Sequence, residues 1–341
     1  MTTISDKTPP ISVVMAVYNA ELFLREAIDS ILSQSFRDFE FIIVNDGSTD
    51  GSARIIADYR DPRIIVLDNG KNRGLIDSLN AGLERARGKY IARMDADDIA
   101  LKERFQKQFD YMETHPEMGI CGTAIRPFRE NEKGGRKMTF PTDDERIRAF
   151  AFFQSPFCHP SVIMRKEVLD RHHLKYPQAF KHAEDYGLWI ELLKYTRGAN
   201  LDTVLLLYRR HEQSVTVSLN KDAEETNRLV GKVQDVYWSQ YNIGIEPDSK
   251  EVFFRFLNRW IPTELSAETQ QILEKSVHTF LRQLSPGTLK EWVVHYLAEI
   301  CFFRFYTLRR IPLGRHLWSL STKGAWIYRK KLINRTLNRD K

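Results

Sequence analysis

The first 120 residues of the chain alternate short apolar runs with stretches whose apolar positions recur every three or four residues. The apolar runs that have the length and continuity of buried strands lie at residues 11–17, 39–44, 63–67, 90–94 and 118–122. The stretches between the first four runs, and residues 101–114, have helical spacing. Strands that alternate with helices form a parallel sheet with right-handed crossovers. We therefore predict an α/β fold with a mostly parallel sheet flanked by helices.

The pattern loosens after residue 122 and becomes mostly helical from about residue 222. The elements predicted between these points are an exposed loop or hairpin tip at 129–137, strands at 161–164 and 201–208, and a helix that starts at 184. The sequence shows no internal repeat. We predict an α/β domain at residues 1–220 and a helical C-terminal region at residues 221–341.

Basic residues are concentrated near the C-terminus. The chain has a formal net charge of +6, from 51 Lys and Arg against 45 Asp and Glu. Residues 301–341 hold eleven Lys or Arg and one acid, Asp340, so this segment carries +10 and the other 300 residues carry −4. A nucleic-acid-binding domain would not concentrate its basic residues in this way, so no nucleic-acid partner is expected.

The same segment is also rich in aromatic residues. These are Phe302, Phe303, Phe305, Tyr306, Trp318, Trp326 and Tyr328. Basic residues mixed with aromatics suit peripheral contact with an anionic membrane surface. Packing of the aromatic rings on the protein's own core is the alternative, and the sequence leaves both open.

Cysteine usage and the N-terminus indicate the compartment. Cys121, Cys158 and Cys301 are far apart and form no CxxC pair, which favours a reducing environment. Residues 1–10 are polar and lack the apolar core of a signal peptide, and no run of about 18 apolar residues occurs. We expect a cytoplasmic protein, peripheral at the inner face of the plasma membrane if the basic segment binds lipid.

Three carboxylates follow directly after the run at 90–94, in the segment Asp95-Ala96-Asp97-Asp98. Mg²⁺ and Mn²⁺ prefer oxygen ligands and bind through few protein groups plus substrate phosphates. Capping of the next helix would account for one carboxylate, and we assign that role to Asp98. The remaining carboxylates predict a site for a divalent cation, Mn²⁺ or Mg²⁺.

Asp46 follows the second apolar run in the segment Asp46-Gly47-Ser48-Thr49-Asp50. An EF-hand would need Glu at its twelfth position, where Ala57 stands. An aspartyl nucleophile would need a second Asp two residues away, where Val44 and Ser48 stand. Two roles for Asp46 remain open, and they are compatible with each other. Asp46 can accept the imino N–H of uracil, thymine or guanine, a donor that cytosine lacks, or it can form an Asx-turn. Asp46 and Asp50 could also divide these two roles.

Other segments carry weaker signals. The turn after the first strand has no glycine and no GxxxxGK[ST] occurs, which disfavours dinucleotide-binding and P-loop proteins. Glu184-Asp185 starts a predicted helix, where the helix dipole alone favours acids, but one carboxylate there can also serve as a general base. His211 follows a strand and is either structural or a metal ligand.

Taken together and in order, these motifs resemble those of the family 2 glycosyltransferases with the GT-A fold. The resemblance covers about residues 9–215. The matching segments are Ser12–Asn19, Ser30–Ser35, Asn45–Asp50, Asn72–Leu75, Asn80–Gly82, Ala92–Asp98, His159–Ser161, Glu184–Tyr186 and Tyr208–His211.

The resemblance implies a set of residues for the nucleotide-sugar and its cation. The nucleotide-sugar set comprises Ala16, Val17, Tyr18, Asp46, Arg73, Asp95, Ala96 and Asp97. In this set Asp46 would bind the uracil or thymine ring, Asp95 would touch the ribose, and Asp97 would bind the metal on the diphosphate. His211 resembles a second contact to the metal or the diphosphate.

The resemblance also implies the reaction. Asp185 corresponds to the catalytic base, with Glu184 and His159 near the acceptor or donor sugar. The implied activity is inverting transfer of a sugar from a UDP- or dTDP-sugar to a hydroxyl of a glycan acceptor. A lipid-linked acceptor in bacterial surface polysaccharide biosynthesis would suit the basic segment.

The chain departs from the family pattern at one position, and two other protein classes remain as alternatives. Many family members carry Arg immediately before the residue matched by Asn80, whereas this chain has Leu79, so Arg73 or Arg93 would have to supply a basic contact. The alternatives are a sugar-nucleotide pyrophosphorylase and a non-catalytic membrane-associated scaffold with a degenerate transferase domain. A pyrophosphorylase would need a Gly-rich basic loop after the first strand, which this chain lacks. The scaffold is disfavoured because all the carboxylates that the resemblance implies are present.

Overall fold

The structure, a computed structural model, describes residues 8–130, 134–212, 223–258 and 266–307, together with Lys323. The chain divides into two compact units. The first lies within residues 1–147 and 155–217, and the second within residues 148–154 and 218–341. Residues 148–154, which the sequence pattern places in the α/β domain, thus group with the helical unit.

The first unit contains one eight-stranded sheet. Its strands are β1 (Ile11–Val17), β2 (Phe39–Asn45), β3 (Ile64–Asp68), β4 (Tyr90–Arg93), β5 (Ile99–Ala100), β6 (Met118–Phe128), β7 (Ile163–Arg165) and β8 (Arg197–Arg209). The spatial order is β3-β2-β1-β4-β7-β6-β8-β5. Strands β3, β2, β1 and β4 are parallel, β7 is antiparallel to both of its neighbours, β6 and β8 are parallel, and β5 is antiparallel to β8.

Helices connect most of these strands. They are α1 (Leu24–Leu32), α2 (Ser52–Asp58), α3 (Leu75–Arg85), α4 (Arg104–Thr114), α5 (Asp144–Phe150), α6 (Lys166–Arg171) and α7 (Glu184–Leu192). The expected α/β class is confirmed, and the sheet is mixed because β5 and β7 run antiparallel. The strand predicted at 161–164 is present as β7, which starts two residues later because His159–Ser161 forms a 3₁₀ turn.

Core packing explains why the central strands are apolar on both faces. Val13 and Met15 of β1 belong to one apolar cluster, and Val14 belongs to the cluster on the opposite face. Successive side chains of a strand point to opposite faces, and a strand covered on both faces needs apolar residues throughout. Gly82 of α3 lies against Val14, where an added Cβ would come within 2.4 Å of the Val14 Cγ1.

The second unit is helical, as predicted. It contains α8 (Ala223–Ser239), α9 (Pro247–Leu257), α10 (Ala267–Gln283) and α11 (Thr288–Thr307). Trp238 lies at its centre, buried among Phe253, Phe280 and other rings, and its Nε1 donates to the Phe152 carbonyl at 3.0 Å. The carbonyl of Phe153 accepts from Gln234 Nε2 at 2.7 Å. These contacts explain why 148–154 belongs to this unit.

Two predictions concern residues that the structure does not describe in full. The predicted tip at 129–137 includes residues 131–133, and the basic aromatic segment beyond residue 307, apart from Lys323, lies outside the described residues. In the part of the chain that is described, no helix is both long and apolar enough to span a bilayer.

Candidate active site

Three loops start side by side because the strands before them are parallel neighbours. β1 lies between β2 and β4 and is parallel to both. The Asp46 amide donates to the Val17 carbonyl at 2.8 Å, and the Met94 amide donates to the Val14 carbonyl at 3.1 Å. The loops after Val17, Asn45 and Arg93 therefore share one edge of the sheet, at the carboxyl ends of the parallel strands, where ligands bind in sheets of this kind.

The first two loops are joined by hydrogen bonds. Asn19, in the left-handed region at φ 49°, accepts from the Thr49 amide at 2.8 Å and donates its own amide to Ser48 Oγ at 3.1 Å. Asp50 accepts from the amides of Glu21 and Ser52 at 3.0 and 2.9 Å. Asp50 therefore forms the Asx-turn considered for this segment. Tyr18 is left 48% exposed at the edge.

Asp46 is only 3% exposed, and its carboxylate fixes a third loop. Oδ1 accepts from Asn69 Nδ2 at 2.7 Å and from the Arg73 amide at 2.9 Å, and Oδ2 accepts from the Gly74 amide at 2.9 Å. A carboxylate offers about four acceptor sites. Asp46 thus shapes the loop at 69–74 and keeps about one acceptor position beyond these bonds. The Arg73 side chain itself is exposed.

The acidic segment after β4 forms a tight cluster. One carboxylate oxygen from each of Asp95, Asp97 and Asp98 lies within 4.8 Å of the other two. Arg93, which is buried, forms an ion pair with Asp95 through Nη1. Of the two arginines considered for a basic contact, Arg93 therefore places its charge at the cluster, whereas Arg73 binds Asp46 through its backbone amide.

Asp97 and Asp98 contact the end of β8. Asp97 Oδ2 lies 2.8 Å from His211 Nε2, so the predicted pair of Asp97 and His211 is brought together. Asp98, 1% exposed, accepts the Arg209 amide at 2.8 Å through Oδ1. The prediction that Asp98 caps the next helix is wrong, because the N-cap position of α4 is Glu103.

Electrostatics within the cluster favour binding of a cation. Burial and the charge of Asp95 raise the pKa of Asp97, while His211 and Arg93 oppose the rise. Burial, Asp95 and Asp97 raise the pKa of Asp98 well above its usual value. Carboxylates that raise one another's pKa in this way repel each other, and a bound cation would relieve that repulsion.

The donor set suits a hard divalent cation. The clustered ligand atoms are carboxylate oxygens, and Oδ2 of the buried Asp98 has no hydrogen-bond partner among the residues that the structure describes. Oxygen-rich sites of this kind select Mg²⁺, Mn²⁺ or Ca²⁺ over softer metals. The residues present therefore fit the predicted cation.

Glu184 and Asp185 start α7, and Asp185 is half-buried. Burial and the neighbouring Glu184 charge raise the pKa of Asp185 to about 6, against the effects of the Tyr186 amide and Arg93. Burial is also the main reason that the pKa of Glu184 is raised. Ser155 Oγ donates a long hydrogen bond, 3.4 Å, to Asp185 Oδ2. Asp185 is thus a carboxylate whose basicity is raised.

His159 lies in the 3₁₀ turn before β7. Its Nε2 is 2.9 Å from the Tyr176 hydroxyl, and its ring packs edge-on against Trp189 of α7. Burial and the charge of Arg93 hold the pKa of His159 well below its usual value, so its imidazole is neutral. Asn80 binds the backbone of Tyr176 through two hydrogen bonds, at 3.0 and 2.9 Å.

The structure thus groups the predicted residues into connected sets. Tyr18 and Asp46 border the joined loops after β1 and β2, Asp97 and His211 form a pair, and the charge of Arg93 acts on Asp97 and on Asp185.

Four residues that support the site are not predicted from the sequence: Asn69, Ser155, Tyr176 and Arg209. Asn69 directly follows β3, and residues at the carboxyl ends of parallel strands lie where ligands bind, so its position in the sequence could have indicated it. Arg209 lies within the matched segment Tyr208–His211, which marks the region but not the residue. Ser155 and Tyr176 carry no local signal, because their partners are distant in sequence.

The sequence of the α/β unit matches a known protein family. Residues 12–173 match the family model described as glycosyl transferase family 2. An uncharacterized glycosyltransferase of Haemophilus influenzae is 32% identical over 251 residues, which are 71% of this chain and 77% of that protein. The amylovoran biosynthesis glycosyltransferase AmsE of Erwinia amylovora is 36% identical over 208 residues, 58% of this chain and 75% of that protein.

Solved structures show the same fold at lower sequence identity. S. aureus TarS 1-349 in complex with UDP-GlcNAc aligns with a TM-score of 0.59 and 18% identity, over 94% of this chain and 92% of that one. The mannosyltransferase PcManGT from Pyrobaculum calidifontis, in complex with GDP-Man and Mn²⁺, aligns with a TM-score of 0.53 and 14% identity, over 94% and 88% of the two chains.

Proposed function

Since this chain belongs to glycosyl transferase family 2, we propose that it moves a sugar from a UDP- or dTDP-sugar to a hydroxyl of a glycan acceptor, with inversion at the anomeric carbon. The observation that carries this proposal is the shared sheet edge, where the Asp46 loop, the Asp95–Asp98 cluster and the Asp97–His211 pair lie together. A nucleoside diphosphate needs a base acceptor and a cation, and this edge offers both.

The base would bind at Asp46. Uracil and thymine carry an imino N–H, and Asp46 retains about one acceptor position after its three hydrogen bonds. Tyr18, exposed at the same edge, would line the ring together with the backbone at Ala16 and Val17. The UDP-GlcNAc bound by TarS supports a uridine nucleotide as donor. Because PcManGT binds GDP-Man, guanosine nucleotides are included in the experiment below.

The diphosphate end would lie at the acidic cluster. Asp97 and His211 would hold the cation, with Asp95 and Ala96 beside the ribose. Such an ion offsets the negative charge that develops on the departing nucleoside diphosphate. Mn²⁺ and Mg²⁺ both suit carboxylate ligands, and the Mn²⁺ in PcManGT supports the former.

Asp185 would accept the proton of the attacking hydroxyl. A base is most effective when its pKa lies near the working pH, and burial raises the pKa of Asp185 to about 6. The hydroxyl oxygen attacks the anomeric carbon opposite the bond to the diphosphate, that bond breaks, and the hydroxyl proton passes to Asp185. A single displacement of this kind inverts the anomeric centre.

The acceptor would be a sugar hydroxyl of a growing surface polysaccharide. Glu184 precedes Asp185 in α7, and neutral His159 contacts Trp189 of the same helix, so both would hydrogen-bond sugar hydroxyls near Asp185. Relatives named for amylovoran and O-antigen biosynthesis support a bacterial polysaccharide as product. A lipid-linked acceptor at the cytoplasmic face of the membrane would suit the +10 charge of residues 301–341.

A thermal-shift panel tests the donor assignment. We expect UDP- and dTDP-sugars to raise the melting temperature in Mn²⁺, and GDP- and ADP-sugars to raise it less, because ligands that bind only the folded state stabilise it. Asp46→Asn should reduce the stabilisation by UDP- and dTDP-sugars, because it removes the charged acceptor for the imino N–H of the base. A GDP-sugar that stabilises the protein more than every UDP- and dTDP-sugar would contradict the assignment.

A further inference from the structure

Arg209, the last residue of β8, connects several elements around the proposed cation site. It is 3% exposed, although most arginines lie at protein surfaces. Its amide donates to Asp98 Oδ1 at 2.8 Å, and its Nε donates to the Asp97 carbonyl at 2.7 Å. One residue thus contacts two successive members of the acidic segment, through its main chain and its side chain.

The guanidinium is held between two aromatic rings. Its central carbon lies 4.6 Å from the ring centroid of Phe23 and 4.6 Å from that of Phe128. The terminal nitrogens form ion pairs with Glu26 and Glu130, the latter at 3.5 Å. The two glutamates are exposed and contribute little, so the two rings and the Asp97 carbonyl hold the guanidinium in place.

The same arrangement reaches His211. The His211 ring packs against Phe23 with centroids 4.8 Å apart, and its Nε2 lies 2.8 Å from Asp97 Oδ2. Phe23 therefore contacts Arg209 on one side and His211 on another. Arg209 holds the backbone of Asp97, and Phe23 orients the imidazole that meets the Asp97 side chain.

We propose that Arg209 is a positioning residue that, together with Phe23, assembles Asp97 and His211 into a ligand pair before the cation binds. The inference rests on the proposed role of these two residues in cation binding. Arg209 itself touches neither the cation nor the sugar in this account. Groups that orient metal ligands typically change metal affinity by about 10–100-fold when they are replaced.

Lysine is the informative replacement for Arg209. It would keep the positive charge but lack the planar fork that packs between two rings and reaches a carbonyl through Nε. We expect Arg209→Lys to weaken Mn²⁺ binding by about 10–100-fold. Arg210→Lys is the matched control, because Arg210 is the exposed neighbour, whose guanidinium lies 4.0 Å from Met138 Sδ. The Mn²⁺ affinity of this control should equal that of the wild type.

Free Mn²⁺ is measured by electron paramagnetic resonance during titration of the full chain without nucleotide, and melting temperatures are recorded in EDTA. If Arg209→Lys does not fold, Phe23→Leu carries the test, with an expected loss of about 3–10-fold because only the ring contacts are removed. A lowered melting temperature in EDTA with unchanged Mn²⁺ affinity would make Arg209 merely structural and overturn the inference. Wild-type protein that binds no Mn²⁺, or only as much as Asp97→Asn, would instead overturn the proposed cation site.

Discussion

At the scale of single residues, Arg93 balances the charges of the site. It is a buried cation paired with Asp95, and its charge lowers the pKa values of Asp97, Glu184 and Asp185. Burial acts in the opposite direction on the same carboxylates and is the larger effect. The result for Asp185 is a pKa of about 6, which leaves a base that is ionised at neutral pH and still able to hold a proton.

Replacing Asp185 by Asn tests the role of this base. The amide keeps the shape of the side chain but cannot accept a proton, so we expect kcat to fall by about 10²–10⁴-fold. Donor binding, measured by calorimetry with UDP and Mn²⁺, should stay near the wild-type value. Turnover equal to that of the wild type would show that another group takes the proton.

The pH profile of the wild type provides an independent check. Asp185 must be ionised to act, so kcat/KM should rise with pH through about 6 and level off above it. An Asp with its ordinary pKa would place that rise near about 4 instead. A profile that is flat between about pH 5 and pH 7, at saturating Mn²⁺, would contradict the raised pKa.

At the scale of elements, the loops after the strands depend on two glycines in the left-handed region. Gly47 has φ +65°, and an added Cβ would lie 2.4 Å from the Lys71 carbonyl carbon. Gly70 has φ +68°, and nothing lies within 4 Å of its added Cβ. The two glycines have nearly the same positive φ, but only Gly47 is crowded.

This difference makes a matched pair of variants. Gly70→Ala should cost about 1–2 kcal/mol, because a Cβ disfavours the left-handed region. Gly47→Ala should cost about 1–3 kcal/mol more, since the loop at 71–72 must move. That movement would also displace the amides that bind Asp46, so UDP affinity should fall in Gly47→Ala alone. Equal melting temperatures for the two variants would refute the packing argument.

Most strands were predictable because each is marked by its own run of apolar residues. The features that were missed depend on contacts between residues far apart in the sequence. Continuous apolar runs mark strands such as β1 and β2, which are buried on both faces. β5 has two residues and exists only through its pairing with β8, so no run of sequence marks it. Asp98 has the appearance of a helix cap, but its partner, the Arg209 amide, is more than a hundred residues away. Contacts of this kind cannot be inferred from spacing.

At the scale of the whole molecule, the family and enzyme class follow from the ordered motifs. The expected family 2 glycosyltransferase is confirmed, and the match disfavours the alternative of a sugar-nucleotide pyrophosphorylase. The roles assigned to Asp46, Asp97 and Asp185 stay predictions, because each role is a contact with a ligand and not with another part of the chain. The helical unit was predicted only as a class, since its core is built from aromatic contacts that helical spacing does not specify, such as Trp238 with Phe280.

The basic segment at the C-terminal end of the chain is proposed to bind an anionic membrane. Residues 308–341 hold ten Lys or Arg and one acid, and the described helix α11 ends at Thr307. Truncation after Thr307 should weaken binding to vesicles with about 30% phosphatidylserine by at least about tenfold at low salt, because each basic residue near an anionic surface contributes about 1 kcal/mol. UDP affinity and binding to neutral vesicles serve as controls. Unchanged binding to the anionic vesicles would remove this segment from the account.

The most direct test of the central claim is a calorimetric titration of the full chain with UDP, in Mn²⁺ and in EDTA, for the wild type and for Asp97→Ala. We predict that the wild type binds UDP at least about tenfold more tightly in Mn²⁺ than in EDTA, a difference of about 1.4 kcal/mol. In Asp97→Ala that dependence on Mn²⁺ should disappear. Equal affinity in all four titrations, or no binding of UDP in any of them, would contradict a cation-assisted nucleotide site at this edge of the sheet.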